Sequence, residues 1–162
     1  MPPPRSGILA SDPPADALPD TGDAAPRSLR RVGVIDDDYM TARLVCTLLE
    51  LDGYQATHFP NSPGLPDDLV QAGVGAVICD NRMPGRSGSE VLALLRADPR
   101  FREVRAVLMS GLPLDEAAWR DQGADAFLLK PFTHHHLLAA LTAAGAGPPP
   151  RRSGAGQGER NG

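Results

Sequence analysis

Residues 76–85 read AVICDNRMPG. The run Ala76-Val77-Ile78-Cys79 is apolar, and its β-branched residues favour a buried strand. An acid, Asp80, follows with no polar transition. Asn81-Arg82-Met83-Pro84-Gly85 then cannot extend a strand, because proline and glycine break it. An acid at the exit of an apolar strand needs a reason, and the remainder of the chain supplies one.

Four more short apolar runs accompany it, in alternation with helical patterns. The strand candidates are 31–35 (RVGVI), 55–59, 74–79, 104–109 and 126–129. The helix candidates are 39–52, 66–72, 88–97, 114–122 and 134–144. In the first helix, Met40, Leu44, Leu48 and Leu51 share a face, and Gly53 is a stop signal. Ser87 and Glu90 form a capping box for the third, and Thr133 caps the fifth. A β-α unit repeated five times predicts an α/β fold, a doubly wound five-stranded parallel sheet covered on both faces.

Composition bounds the rest. Of the 162 residues, 17 are Gly and 17 Pro, concentrated toward the ends. Residues 1–28 and 145–162 lack an apolar period and are expected to be disordered tails, leaving one domain at 29–144. The net charge of −4 argues against nucleic acid as the main partner. No signal-peptide core or membrane-length run is present, so a cytoplasmic protein without a membrane partner is expected. Cys46 and Cys79 lack motif spacing and read as reduced thiols.

In an open parallel sheet all carboxyl ends meet at one edge, where ligands bind. The first strand runs into Asp36-Asp37-Asp38, the third into Asp80, the fourth into Ser110-Gly111 and the fifth into Lys130-Pro131. Asp36, Asp37 and Asp80 cannot all ionise close together without a cation. Lys130 supplies one positive charge, and a divalent ion would supply two. Oxygen-only donors favour a hard ion, and Mg²⁺ retains waters that a phosphate can replace. An aspartate can then act as nucleophile toward a phosphoryl group, with Ser110 and Lys130 as partners for its oxygens. Taken alone, Asp36 and Asp37 would read as helix caps. Their company at the sheet edge favours a site, and Asp38 is the better cap.

The segments VGVIDDD, VICDNRMPG, VLMSG and FLLKPF, in this order and spacing, resemble the receiver domain of two-component response regulators. The resemblance covers about residues 30–144 and implies a flavodoxin-like (βα)5 fold with strand order 2-1-3-4-5. It implies that Asp36 and Asp37 are the acidic pair, one binding Mg²⁺ directly and the other partly through water. Asp80 becomes the phosphoacceptor and a metal ligand, and Arg82 offers a backbone carbonyl to the metal. Ser110 matches the hydroxyl residue, Phe127 the aromatic that turns inward with it, and Lys130 the phosphate-pairing lysine followed by a cis proline. The implied partners are a sensor histidine kinase or histidine phosphotransfer protein and a downstream protein target. The lengths before and after the domain suggest a stand-alone receiver.

Departures from the family pattern are also visible. Ser110 and Lys130 are closer in sequence than usual, which shortens the region of the fourth helix and weakens inference about the output surface. Arg82 stands where aspartyl-nucleophile phosphatases carry a general acid, so the chain is expected to be a phosphoacceptor and not an enzyme. A non-phosphorylated receiver-like scaffold is the other alternative. Arg82 and Leu112, flanking the phosphoryl position, suggest a long-lived phosphoryl state. His134, His135 and His136 point about 100° apart on a helix and cannot converge on one ion.

Overall fold

The computed structural model describes residues 29–147. Five strands, β1 (Arg31–Ile35), β2 (Gln55–Phe59), β3 (Ala76–Asp80), β4 (Arg105–Ser110) and β5 (Ala126–Leu129), form one sheet in the order β2-β1-β3-β4-β5. All four pairings are parallel. The helices are α1 (Tyr39–Leu51), α2 (Leu65–Ala72), α3 (Gly88–Arg96), α4 (Glu116–Asp121) and α5 (His134–Ala143). This is the doubly wound architecture expected from the β-α alternation.

Side chains alternate faces along each strand, so the sheet divides the core in two. Val32, Val34, Ala76, Ile78, Val107, Met109 and Leu128 pack with α1 and α5. Ile35, Val77, Cys79, Ala106 and Leu108 pack with α2 and α3. The central strand β3 is buried throughout, as a strand covered on both faces must be.

Several expectations need correction. Strands β3 and β4 begin later than 74 and 104 and end one residue further on, so Asp80 and Ser110 are the last residues of their strands. Each sheet ladder extends as long as a neighbour can pair, and Asp80 lies opposite Met109. The helix α4 has only six residues. The buried face of α1 is Ala42, Val45 and Leu49, whereas Met40, Leu44 and Leu51 are 73%, 53% and 70% exposed. Two apolar stripes run along α1, and the more hydrophobic one faces outward. The domain also reaches past residue 144: Ala146 is buried, and its carbonyl accepts a 2.7 Å hydrogen bond from the Tyr54 hydroxyl. Residues 1–28 and 148–162, expected as tails, lie outside the described residues.

The expected caps are present. Asp38 accepts from the Met40 amide and the Thr41 hydroxyl. Ser87 and Glu90 form the reciprocal box at α3, and Thr133 accepts from the His136 amide at α5. His134 instead turns to the Asp52 carboxylate, His136 Nδ1 accepts from the Thr133 amide, and the His135 ring lies 6.4 Å from that of His136.

Candidate functional site

The carboxyl ends of β1, β3, β4 and β5 meet at one edge of the sheet. By strand parity, Asp36, Asp80 and Lys130 continue the rows Val32-Val34, Ala76-Ile78 and Ala126-Leu128, all on the α1/α5 side. Lys130 Nζ lies 2.7 Å from Asp80 Oδ1. Asp36 and Asp80 are both buried, at 1% and 5% exposure. Burial raises the Asp36 carboxyl above its ordinary range, and the neighbouring Asp80 charge adds to that, while the Asp38 amide and Lys130 pull the other way. Asp36 Oδ1 accepts the Asp38 amide at 2.9 Å, but Asp36 Oδ2 is buried without a partner. A buried carboxylate oxygen left without a donor is costly and invites a cation.

The other residues singled out by sequence fall around this centre. Asp37 is exposed at the rim, and so is Arg82 in the loop after β3. Among the described residues no three acidic, histidine or cysteine side chains converge in a metal-ligating cluster. Ser110 is buried, its hydroxyl accepting from the Leu112 amide at 3.0 Å. The Lys130 amide donates to the Ser110 carbonyl, which ties the ends of β4 and β5 together. The Lys130–Pro131 peptide is cis. Phe127 is half-buried on the opposite sheet face, stacked on Trp119 with ring centroids 6.4 Å apart and planes 11° from parallel.

The loop after β3 is held by backbone contacts. The Asn81 amide donates to Met109 O, and the Gly88 amide returns to Asn81 O at 2.9 Å. At Gly88 a Cβ would lie 2.3 Å from the Asp80 carbonyl oxygen. This close approach sets α3 directly behind the acid, and only glycine allows it.

Sequence reasoning missed two supports of the site. His58 Nε2 donates to the Asp36 carbonyl at 2.8 Å, and its ring lies against Tyr39. Arg86 reaches from the β3–α3 loop to Asn61 Oδ1 and the Ser62 carbonyl. No motif marks either residue. The register Val34↔His58 could have suggested the first once the strand order was known.

A family model described as "Response regulator receiver domain" matches residues 32–142. The chain belongs to the response regulator receiver family. Phosphorylation and Mg²⁺ binding are general features of that family, whose members act in two-component signalling. The receiver is 36% identical over 104 residues to the transcriptional regulatory protein FixJ of Azorhizobium caulinodans, covering 62% of this chain and 48% of that protein. It is 27% identical over 106 residues to the phosphate regulon transcriptional regulatory protein PhoB of Klebsiella pneumoniae, covering 64% of this chain and 46% of that protein. The chain thus spans about half the length of the curated relatives it matches. The fold is shared with the chemotaxis response regulator CheY4 of Vibrio cholerae, with a TM-score of 0.64, 22% identity and coverage of 70% and 97% of the two chains. The N-terminal domain of a response regulator receiver protein from Methanoculleus marisnigri gives a TM-score of 0.58 at 27% identity, covering 68% and 92%. No helix among the described residues is long and apolar enough to cross a membrane.

Proposed function

We propose that this receiver accepts a phosphoryl group on Asp80 from a phosphohistidine donor, a sensor histidine kinase or a histidine phosphotransfer protein. The observation that carries the reading is the buried Asp80 carboxylate paired with Lys130 at 2.7 Å, beside an Asp36 oxygen without a partner. A buried, ion-paired acid flanked by a second acid suits nucleophilic attack on a dianion only where positive charge gathers with it.

The donor set fits Mg²⁺. Its oxygens are hard, and Mg²⁺ is held by one or two carboxylates with several waters retained, so a three-carboxylate cluster is unnecessary. Asp36 and Asp80 would hold the ion, with the Arg82 backbone carbonyl, and the exposed Asp37 would act through water. When bound, Mg²⁺ neutralises charge on the phosphoryl oxygens.

An Asp80 carboxylate oxygen attacks phosphorus as the P–N bond to the donor imidazole breaks. The electron pair of that bond stays on the imidazole, which takes a proton from solvent. The product is an acyl phosphate. Lys130 pairs with a phosphoryl oxygen, and Ser110 is free to turn its hydroxyl toward another by giving up the Leu112 amide. Phe127 then moves into space that Ser110 vacates, and this passes the local charge change to the α4–β5–α5 face. A groove of about 480 Å³ already lies there, lined by Trp119, Phe127, Leu129, His136 and Ala140 among others, and it is the surface proposed for a downstream protein target.

The rim supports a slow hydrolysis of the phosphoryl group. Leu112 is 55% exposed and carries no group that could orient a water, and Arg82 is long enough to cover the product. The absence of a second acid near Asp80 in the loop, where Arg82 stands, also disfavours phosphatase turnover. Incubation with acetyl phosphate and Mg²⁺ should label the wild-type chain, and Asp80→Asn should remain unlabelled. Undiminished labelling of that variant refutes the assignment, and a wild-type chain that takes no label favours the scaffold alternative.

A further inference from the structure

The outward stripe of α1 is the strongest feature the site does not use. At 100° per residue, positions 40, 44, 47 and 51 fall within about 60° of one another. The buried positions 42, 45 and 49 lie on the opposite side of the helix. Met40, Leu44 and Leu51 are all more than half exposed, which is a poor use of large apolar side chains on a free surface. Their spacing, four-three-four with Thr47 included, is that of a coiled-coil seam. A seam of that spacing fits a second helix packed nearly along it, not a sheet or an irregular loop.

Flanking charges identify which helix. Arg43 and Glu50, seven residues apart, lie on the same side of the seam, and Cys46 between them feels both. Among the described residues neither makes an ion pair. We infer that α1 pairs in antiparallel fashion with α1 of a second copy of this chain. A two-fold axis near the middle of the helix sets Met40 against Leu51 of the second copy and Leu44 against Thr47 of the second copy. The same register brings Arg43 of each copy to Glu50 of the other, giving two equivalent ion pairs, and sets Thr41 beside Leu48. Such a contact is isologous, as closed dimers require. A parallel pairing would set Arg43 opposite Leu48 and leave Glu50 past the end of the partner helix, with no charge to meet.

The seam has 13 residues of helix and a threonine in two of its four layers. Such a contact falls below about 1,200 Å² and belongs to the weak, reversible class. It is independent of the proposed phosphoryl chemistry, because none of its residues belongs to the site.

Sedimentation equilibrium on the full chain, at low ionic strength and up to about millimolar protein, tests it. The wild type should dimerise reversibly. Arg43→Glu and Glu50→Arg should each weaken the dimer by about tenfold, because both symmetric pairs turn repulsive. The double variant should restore it, and Leu44→Asp should abolish it. Circular dichroism establishes that each variant is folded, which surface positions permit. A chain that stays monomeric throughout overturns the proposal, as would be the case if the stripe served a foreign helix. So does a dimer that persists in Leu44→Asp, which would place self-association on another face, or a double variant that fails to recover.

Discussion

Lys130 Nζ meets Asp80 Oδ1 at 2.7 Å although their strands are not neighbours, since β4 lies between β3 and β5. The contact therefore spans the edge of the sheet and depends on three strands holding register. Replacing Lys130 by Met removes the one ammonium beside two buried carboxylates. Mg²⁺ should then bind more tightly, by up to about tenfold, because a positive neighbour is gone. Labelling of Asp80 by acetyl phosphate should nevertheless fall at least as much, because the phosphoryl oxygens lose a partner. Isothermal titration with Mg²⁺ and a labelling time course measure the two separately. A loss of both together would mean that Lys130 only maintains the fold.

Trp119 is stacked on Phe127 and so reports on it. Its emission should change when beryllofluoride and Mg²⁺ are added as a phosphoryl mimic. Phe127→Leu should abolish that change while leaving the mimic bound, which a thermal shift would reveal. An unchanged response in Phe127→Leu removes Phe127 from the proposed coupling between Ser110 and the outer groove.

The site and the sheet were legible for the same reason. Strand exits in a parallel sheet share one edge, so Asp36, Asp80, Ser110 and Lys130 could be gathered from the order of strands alone. The outward face of α1 was not legible. A 3.6-residue period reports that apolar residues align, and α1 has two aligned sets on opposite sides. Only the sheet decides that the smaller set, Ala42-Val45-Leu49, is the one that fits against β1. His58 and Arg86 were hidden for a different reason. Each contacts a backbone carbonyl from a distant loop or strand, and a backbone acceptor leaves no mark in the sequence.

Gly88 is the tightest point behind the acid. A Cβ there would meet the Asp80 carbonyl oxygen at 2.3 Å and Asn81 Cα at 2.7 Å, and backbone cannot yield as a side chain can. Gly88→Ala should cost about 1–3 kcal/mol by overpacking. It should also lower Asp80 labelling in chains that remain folded, because α3 is pushed off the end of β3. Urea denaturation gives the first quantity. Normal stability in Gly88→Ala would show that α3 can slide without strain.

Arg96 clasps the other half of the domain. It donates to the carbonyls of Gly123, Phe101 and Val104 and to Asp125 Oδ2, which also accepts the Ala106 amide. Arg96→Ala leaves these acceptors without their donor in a half-buried place and should destabilise the fold by about 2–4 kcal/mol. Arg96→Lys should recover only part of this, since an ammonium cannot reach four acceptors in a planar fork. Full recovery with lysine would mean that charge alone suffices there.

The Tyr54 hydroxyl closes the C-terminal end of the domain through its bond to the Ala146 carbonyl. Burial pushes this phenol from its ordinary 10 up to about 12, and the nearby Asp52 carboxylate adds to that. The folded chain therefore keeps Tyr54 neutral to higher pH than the unfolded chain does. The resulting stabilisation is complete below pH 10 and is lost as pH rises from there toward 12. Tyr54→Phe should cost about 1 kcal/mol at neutral pH, the net worth of one hydrogen bond. Its disadvantage should shrink across the alkaline interval, because the variant has no phenol to ionise. Parallel urea titrations of the two chains at neutral pH and through that interval measure the difference. A gap that stays constant with pH would show that the Tyr54 hydroxyl titrates alike in the folded and unfolded chains.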